Sequence, residues 1–116
     1  MRSKANAPHY VWGEQCDGWH LVRAEGLSVI QERMPPGTAE ARHRHARARQ
    51  FFFVLAGAAA LEIDGRRHAL APGEGAEVPP GIPHQIFNEA DRDLEFLVIS
   101  QPPSHGDRLP AEENEL

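Results

Sequence analysis

The sequence lacks the features that define several large protein classes. One cysteine, Cys16, in 116 residues cannot build an internal disulfide framework, and this fits a reducing compartment. The longest apolar run is interrupted by Gly57 and stays well short of the roughly 20 residues that a membrane-spanning helix needs. The first ten residues carry positive charge without an apolar stretch behind them, unlike a secretory signal. We therefore expect a soluble, cytoplasmic protein with no membrane partner.

An excess of basic residues is also missing. Lysine and arginine number 12 against 17 aspartates and glutamates, for a net charge of −5, which disfavours a general nucleic-acid binder. Hydrophobic residues make up 41% and charged residues 25%, as in globular domains. The length suits one domain, 1–116. We expect its core at about 20–100, after a polar segment 1–9 and before an acidic, frayed tail 101–116.

Turn signals divide the chain into short segments. Glycine and proline number ten each and are spread along its whole length. Asp64-Gly65 between two strand-like runs is a two-residue hairpin signal. Many short strands at close spacing indicate an all-β sandwich or barrel. The strand-like runs are 20–22, 27–34, 50–55, 58–63, 66–70, 76–78, 82–88 and 94–100.

The chain has seven histidines, and two of them lie two residues apart within 39–49. This segment is rich in helix formers but has no apolar stripe at helical period, so we interpret its first part as a strand. On a strand, His43 and His45 share one face and can converge on one ion. A pair of solvated surface histidines is the more common reading of such a spacing taken alone. His9, His20, His68 and His105 have no second histidine at ligand spacing and are expected to be structural or exposed.

Two spaced motifs surround this pair and a later histidine. The pattern G-x5-H-x-H-x4-[E/Q]-x6-G is fitted by Gly37, His43, His45, Gln50 and Gly57. The pattern G-x5-P-x-G-x2-H-x3-N is fitted by Gly73, Pro79, Gly81, His84 and Asn88. Together they cover 37–88 and resemble the two motifs of the cupin superfamily.

The resemblance implies a double-stranded β-helix, a jelly-roll-like and mostly antiparallel barrel. It also implies one divalent transition metal held by His43, His45, Gln50 and His84. Most cupins have glutamate where this chain has Gln50, whose amide oxygen can still coordinate but carries no charge. Three imidazoles and an amide oxygen suit Zn, Mn, Fe, Ni, Co or Cu, and the sequence does not choose among them.

Strand alternation predicts which side chains face the barrel interior. If Gln50 points inward, every second residue after it does so too, and the residues that share the face of His84 follow the same rule. A small-molecule pocket is therefore predicted from Phe52, Val54, Ile86, Asn88 and Arg49. Arg49 is placed at the mouth, and for Asn88 a structural amide is the stronger reading. Tyr10, Trp12 and Trp19 are expected to pack over one end of the barrel, and a stacking platform for a ligand is the alternative.

The same alternation turns Phe51, Phe53 and Leu55 outward. An apolar row on the outside of a small barrel is covered either by the N-terminal strand or by a second copy of the chain. The resemblance favours the second alternative, a homodimer.

Two classes of function remain open. One is a metal-dependent enzyme, either of the isomerase, cyclase or lyase type or a dioxygenase, acting on a small oxygenated compound. The other is a non-catalytic metal-binding or ligand-sensing module, because fold alone does not decide function. The neutral Gln50 favours chemistry without oxidation. No catalytic residue is apparent, and a general base is present only if Glu40 or Glu77 reaches inward.

Overall fold

A computed structural model of the protein describes residues 1–111. These residues form eleven strands and no helix, so they include no helix that is long and apolar enough to cross a membrane. The strands are β1 (His9–Trp12), β2 (Cys16–Arg23), β3 (Ser28–Met34), β4 (His43–His45), β5 (Arg49–Ala56), β6 (Ala59–Ile63), β7 (Arg66–Leu70), β8 (Gly75–Val78), β9 (His84–Phe87), β10 (Leu94–Gln101) and β11 (Arg108–Pro110).

Two antiparallel sheets pack face to face. The six-stranded sheet has the order β1-β2-β3-β10-β5-β8, and the five-stranded sheet has the order β11-β4-β9-β6-β7. Strands distant in sequence become neighbours: β10 lies between β3 and β5, and β9 lies between β4 and β6. Such crossovers are typical of jelly rolls. The predicted all-β, double-stranded β-helix is confirmed.

Local chemistry accounts for two of the tight connections. Asp64 and Gly65 have φ values of 51° and 88°, and two positive φ values in a row are what a type I′ hairpin between β6 and β7 requires. Gly57 ends β5 with φ 82°, and a Cβ there would lie 2.4 Å from the carbonyl oxygen of Asp93. Only glycine fits this close approach. The predicted hairpin is therefore confirmed, and the motif glycine has a steric reason.

The strand β5 follows the predicted alternation. Gln50, Phe52 and Val54 are buried, whereas Phe51 and Leu55 remain 38% and 41% exposed. The buried side chains join an apolar core between the sheets. The N-terminal strand β1 pairs in the plane of the sheet with β2, and so it extends the sheet instead of lying over the outward row.

The C-terminal segment differs from the expected frayed tail. β11 pairs with β4, with Arg108 opposite His45 and Pro110 opposite His43. The backbone N–H and C=O groups at the edge of β4 are hydrogen-bonding partners for β11. They order this part of the C-terminal segment, although its prolines and charges predict an extended end. The glutamate-rich residues 112–116 lie outside the described residues, and the single-domain assignment of 1–116 stays a prediction.

Candidate metal centre

Three histidines meet inside the barrel on neighbouring strands of the five-stranded sheet. His43 on β4 is the register partner of His84 on β9, and His45 lies two residues further along β4 on the same face. One ring nitrogen from each can be chosen so that all three lie within 4.8 Å of one another. The strand reading of this segment is confirmed, and these three residues are positioned to hold a metal ion.

Hydrogen bonds to oxygen atoms orient all three rings. In each ring Nδ1 faces an acceptor, which fixes the proton on Nδ1 and leaves a lone pair on Nε2. The acceptors are the carbonyl of Ala41 for His43 (2.9 Å), the carboxylate of Asp107 for His45 (2.8 Å) and the carbonyl of Ile82 for His84 (3.0 Å). This is the tautomer that presents Nε2 to a metal.

Burial keeps the three rings uncharged. Desolvation lowers the pKa of His43 to about 3 and that of His84 to about 4. Desolvation also lowers the pKa of His45, although the carboxylate of Asp107 acts in the opposite direction. Because only a neutral imidazole binds a metal, the site is ready to bind one at neutral pH without first releasing protons.

Gln50 approaches the histidines from the opposite sheet. Its Oε1 lies 3.1 Å from Nε2 of His84, and its Nε2 donates to Oγ of Ser100 at 3.0 Å. Oε1 of Gln50 and Nε2 of His84 thus direct lone pairs at each other, and a metal ion bound to both would remove this repulsion. Two ligand atoms that each lie about 2.1 Å from one ion, at right angles, are about 3 Å apart. In metal-free protein, rotation of the Gln50 amide, so that its NH₂ group donates to Nε2 of His84, removes the same repulsion. The donor set therefore fits a first-row divalent ion.

The ligands open into a cavity of about 320 Å³, which we call the metal cavity. His43 and His45 of the five-stranded sheet and Gln50 of the six-stranded sheet line it, together with the aromatic side chains of Tyr10, Trp12 and Phe52. A cavity of this size accommodates a small organic molecule beside the ion.

Comparisons with known proteins agree with this architecture. Residues 30–100 match the family described as the cupin domain. The chain belongs to the cupin family. An uncharacterized protein of Streptomyces coelicolor, SCO3923, is 32% identical over 89 residues, which cover 75% of this cupin and 83% of that protein.

Two further proteins extend the comparison. The oxalate-binding protein of Thermotoga maritima is 27% identical over 85 residues, which cover 69% of this chain and 70% of that protein. The structure of KdgF from Halomonas sp. superposes with a TM-score of 0.83 over 90% of this chain and 94% of that one. The sequence identity to KdgF is 17%, so this match speaks for the fold alone.

Glu32 and Glu40 line the metal cavity of this cupin, and both carboxyl groups are largely buried. Glu32 on β3 accepts a hydrogen bond of 2.7 Å from the hydroxyl of Tyr10, and burial raises its pKa to about 7. Glu40 lies 3.9 Å from Nδ1 of His43, and burial, followed by the charge of Glu32, raises its pKa to about 8. Glu40 thus reaches inward, whereas Glu77 is exposed and pairs with Arg49 at 3.7 Å.

Sequence reasoning missed Glu32, although its strand was predicted. Ser28, Ile30 and Met34 share its side of β3, and two of these three neighbours are buried. The alternation of the run 27–34 therefore carried the signal that this glutamate points inward.

The predicted pocket residues occupy different places. Phe52 lines the metal cavity, with its ring 5.7 Å from that of His84. Val54 and Ile86 instead belong to the packed core, which fills the barrel beyond Phe52. These two residues point inward as predicted, but they do not form part of the cavity lining.

The two polar members of the predicted pocket also lie outside that lining. The amide of Asn88 donates to the carbonyls of Met34 and Arg92, both at 2.8 Å, as a structural amide does. Arg49 lies on the outer face, where Nε donates to Gln101 at 3.0 Å. The placement of Arg49 at the mouth is a correction that follows from alternation: Gln50 points inward, so its neighbour points outward.

The N-terminal aromatic residues divide between two environments. Tyr10 and Trp12 line the metal cavity, where the alternative of a stacking platform for a ligand would place them. Trp19 packs against His9 with ring centroids 5.3 Å apart, and the ammonium of Lys4 lies 5.1 Å from its ring centroid. Trp19 alone therefore has a packing role with no access to the metal cavity.

The C-terminal segment supplies residues that no motif marks. One carboxylate oxygen of Asp107 holds His45, and the other accepts the backbone N–H groups of Arg47 and Ala48 at 3.0 and 2.9 Å. Burial alone raises the pKa of Asp107, but these hydrogen bonds outweigh it and hold the pKa below its usual value. Asp107 is 62 residues from His45 in sequence, so only the fold reveals the pair.

Proposed function

We propose that this cupin is an enzyme that uses one divalent metal ion to catalyse a reaction without net oxidation, such as an isomerisation, cyclisation or lyase reaction. Its substrate is a small, anionic, oxygenated compound. The observation that carries the proposal is Glu32: a largely buried carboxyl group that lines the same cavity as His43 and His45 and is oriented by Tyr10. A metal site with an adjacent carboxyl that can exchange a proton has the two parts that such reactions require.

The metal would be held by His43, His45, His84 and Gln50, and when bound it supplies Lewis acidity toward a substrate oxygen. The protein ligands are all neutral, so the ion keeps its full charge and favours an anionic substrate. Arg108 adds positive charge at this cavity, where its one hydrogen bond within residues 1–111 goes to the carbonyl of Ala41 at 3.3 Å. The name of the oxalate-binding relative points to a ligand of the same charge class.

Glu32 is suited to move a proton at the substrate. Burial raises the pKa of Glu32 to about 7, so both of its protonation states are populated at neutral pH. The hydroxyl of Tyr10 donates to one carboxylate oxygen, and the other has no hydrogen-bond partner among residues 1–111. Trp12 and Phe52 place apolar surface in the same cavity as the reacting group.

A variant pair tests the assignment of these roles. Protein loaded with Zn, Mn, Fe, Co, Ni or Cu is screened for turnover of small hydroxy- and oxo-acids, and the variants His84→Ala and Glu32→Gln are compared with wild type. We expect His84→Ala to lose the metal. We expect Glu32→Gln to keep the metal and to lose turnover by about 10²–10⁴-fold. Turnover that is unchanged in Glu32→Gln overturns the proposed role of Glu32.

The second candidate is a non-catalytic binding or sensing module, which the oxalate-binding relative favours. The same screen separates the two. Metal and ligand bound without turnover supports the module and overturns the enzyme. Rapid oxygen uptake that depends on substrate supports a dioxygenase and overturns chemistry without oxidation.

We also propose that the outer face of the six-stranded sheet pairs with a second copy of the chain. Leu27, Phe51 and Ile99 line a cavity there, and Leu55 is exposed beside Phe51 on the same strand. Apolar side chains in such a row favour burial in a symmetric interface. Sedimentation at micromolar concentration is expected to give a dimer mass, and Phe51→Glu a monomer mass. A monomeric wild type contradicts the proposal.

A further inference from the structure

A second cavity of about 360 Å³ adjoins the metal cavity. Ile30, Ser104 and His105 line both cavities, so these side chains form the boundary between them. The rings of Tyr10, in the metal cavity, and His20, in the second cavity, also meet with centroids 5.1 Å apart. The two spaces are therefore adjacent, and a single elongated ligand could extend across this boundary.

The lining of the second cavity is cationic. Arg23 forms no hydrogen bond or ion pair with any of residues 1–111, so its guanidinium is available. No carboxylate from the described part of the chain lines this cavity, whereas Glu32 and Glu40 line the metal cavity. An unopposed arginine in a chain of net charge −5 makes this cavity a local attractor for anions.

The remaining polar side chains of the second cavity can each donate a hydrogen bond. Nδ1 of His20 is buried without a partner, and a buried N–H in that position would cost more than a buried lone pair. The ring proton therefore resides on Nε2, which is not buried and has no partner among residues 1–111. The hydroxyls of Ser28 and Ser104 line the same space. Burial, and then the charge of Arg23, lowers the pKa of His20, so the ring acts as a neutral donor.

We propose that the second cavity binds an oxyanion group, a carboxylate or a phosphate, at the far end of the substrate whose other end lies at the metal. This inference rests on the proposed function, and it adds a specificity site to it. Arg23 offers the planar fork that oxyanions accept, while His20 and the two serines supply neutral donors around it. The acidic groups of the metal cavity remain on the other side of the boundary.

The test uses small anions as probes on zinc-loaded, isotope-labelled protein. Inorganic phosphate and acetate are titrated separately, and NMR signals of His20 and His105 report binding. We expect phosphate, acetate or both to bind with a Kd of roughly 1–10 mM. The anion that binds more tightly identifies the oxyanion group of the substrate. Arg23→Gln is expected to weaken that binding by about tenfold. Arg66→Gln, on the distant strand β7, is the matched control and is expected to bind as wild type does.

Two results overturn the proposal: unchanged binding in Arg23→Gln, or shifts confined to His43, His45 and His84, which would place the anion on the metal. Repeating the titration on metal-free His84→Ala separates this proposal from the proposed function. Anion binding that survives there and depends on Arg23 supports the second cavity even if no turnover is found. Turnover by wild type with no anion binding at Arg23 removes the second cavity and leaves the enzyme.

Discussion

The two sheets that line the metal cavity differ in how clearly the sequence marks their functional residues. The five-stranded sheet contributes His43 and His45 to the lining and His84 beside them, on neighbouring strands and within two recognisable sequence motifs. The six-stranded sheet contributes Gln50 and Glu32, and Glu32 belongs to no motif. The residues that would bind the ion can thus be recognised from sequence motifs, whereas the position of the carboxyl group that would handle protons depends on which strands the fold stacks opposite the histidines.

The largest effect is expected on the histidine wall. His84→Ala removes a ligand from the site. We expect its metal affinity to fall by more than the roughly 10–100-fold that loss of an outer hydrogen-bond partner costs. Elemental analysis after dialysis measures the metal content, and melting with and without metal measures the added stability. His68→Ala, at an exposed position on β7, is the control. Full metal content in His84→Ala would show that the ion binds elsewhere.

A change behind the same wall should have the next largest effect. Asp107→Asn keeps the size of the side chain but weakens its hold on Nδ1 of His45 and on two backbone N–H groups. We expect a 10–100-fold loss of metal affinity, which isothermal titration with Zn²⁺ measures. Asp91→Asn, at an exposed position, should bind as wild type does. Equal affinities for the two variants would mean that Asp107 supports only the loop at Arg47 and Ala48.

The opposite wall can be probed through the pH dependence of stability. The pKa of Glu32 rises to about 7 in the folded protein from an ordinary value of 4.5. The folded state therefore holds a proton that the unfolded state has released, and stability falls as pH rises from about 4.5 to about 7. Glu32→Gln should remove up to about 3 kcal/mol of this fall. Urea denaturation of metal-free protein between pH 5 and 8 measures it.

The control for this measurement is Glu25→Gln, at an exposed position. That variant should follow the pH dependence of wild type. If Glu32→Gln follows it as well, the carboxyl of Glu32 titrates in the folded protein as it does in water, and the wall is more open to solvent than its burial indicates.

The smallest effect is expected for Gln50, the predicted metal ligand on the six-stranded sheet. Gln50→Glu adds a negative charge beside the ion, which should favour a trivalent metal. Loaded with Fe(II) and exposed to air, the variant should oxidise several-fold faster than wild type, and optical absorbance follows the reaction. Ser100→Ala, which removes the hydroxyl that the amide of Gln50 contacts, is the control for local disturbance. Equal oxidation rates for wild type and Gln50→Glu contradict the argument for chemistry without oxidation.

Much of the fold follows from local chemistry. The pair Asp64-Gly65 can adopt two positive φ values, and this determines the hairpin between β6 and β7. Alternation along β5 determines that Gln50 and Phe52 face inward and that Phe51 faces outward. These properties depend on a residue and its immediate neighbours, so they can be predicted from the sequence.

The barrel and the set of histidines therefore follow from turn chemistry, period-two alternation and motif spacing, which are local properties. The contact of Asp107 with His45 and the place of Glu32 in the metal cavity instead depend on the folded arrangement. The same arrangement decides that Val54 and Ile86 fill the core instead of lining that cavity. The physical reason is that cavity lining and long-range hydrogen bonds depend on how two sheets stack and on where β11 pairs. Those contacts join residues that are far apart along the chain and share no local pattern.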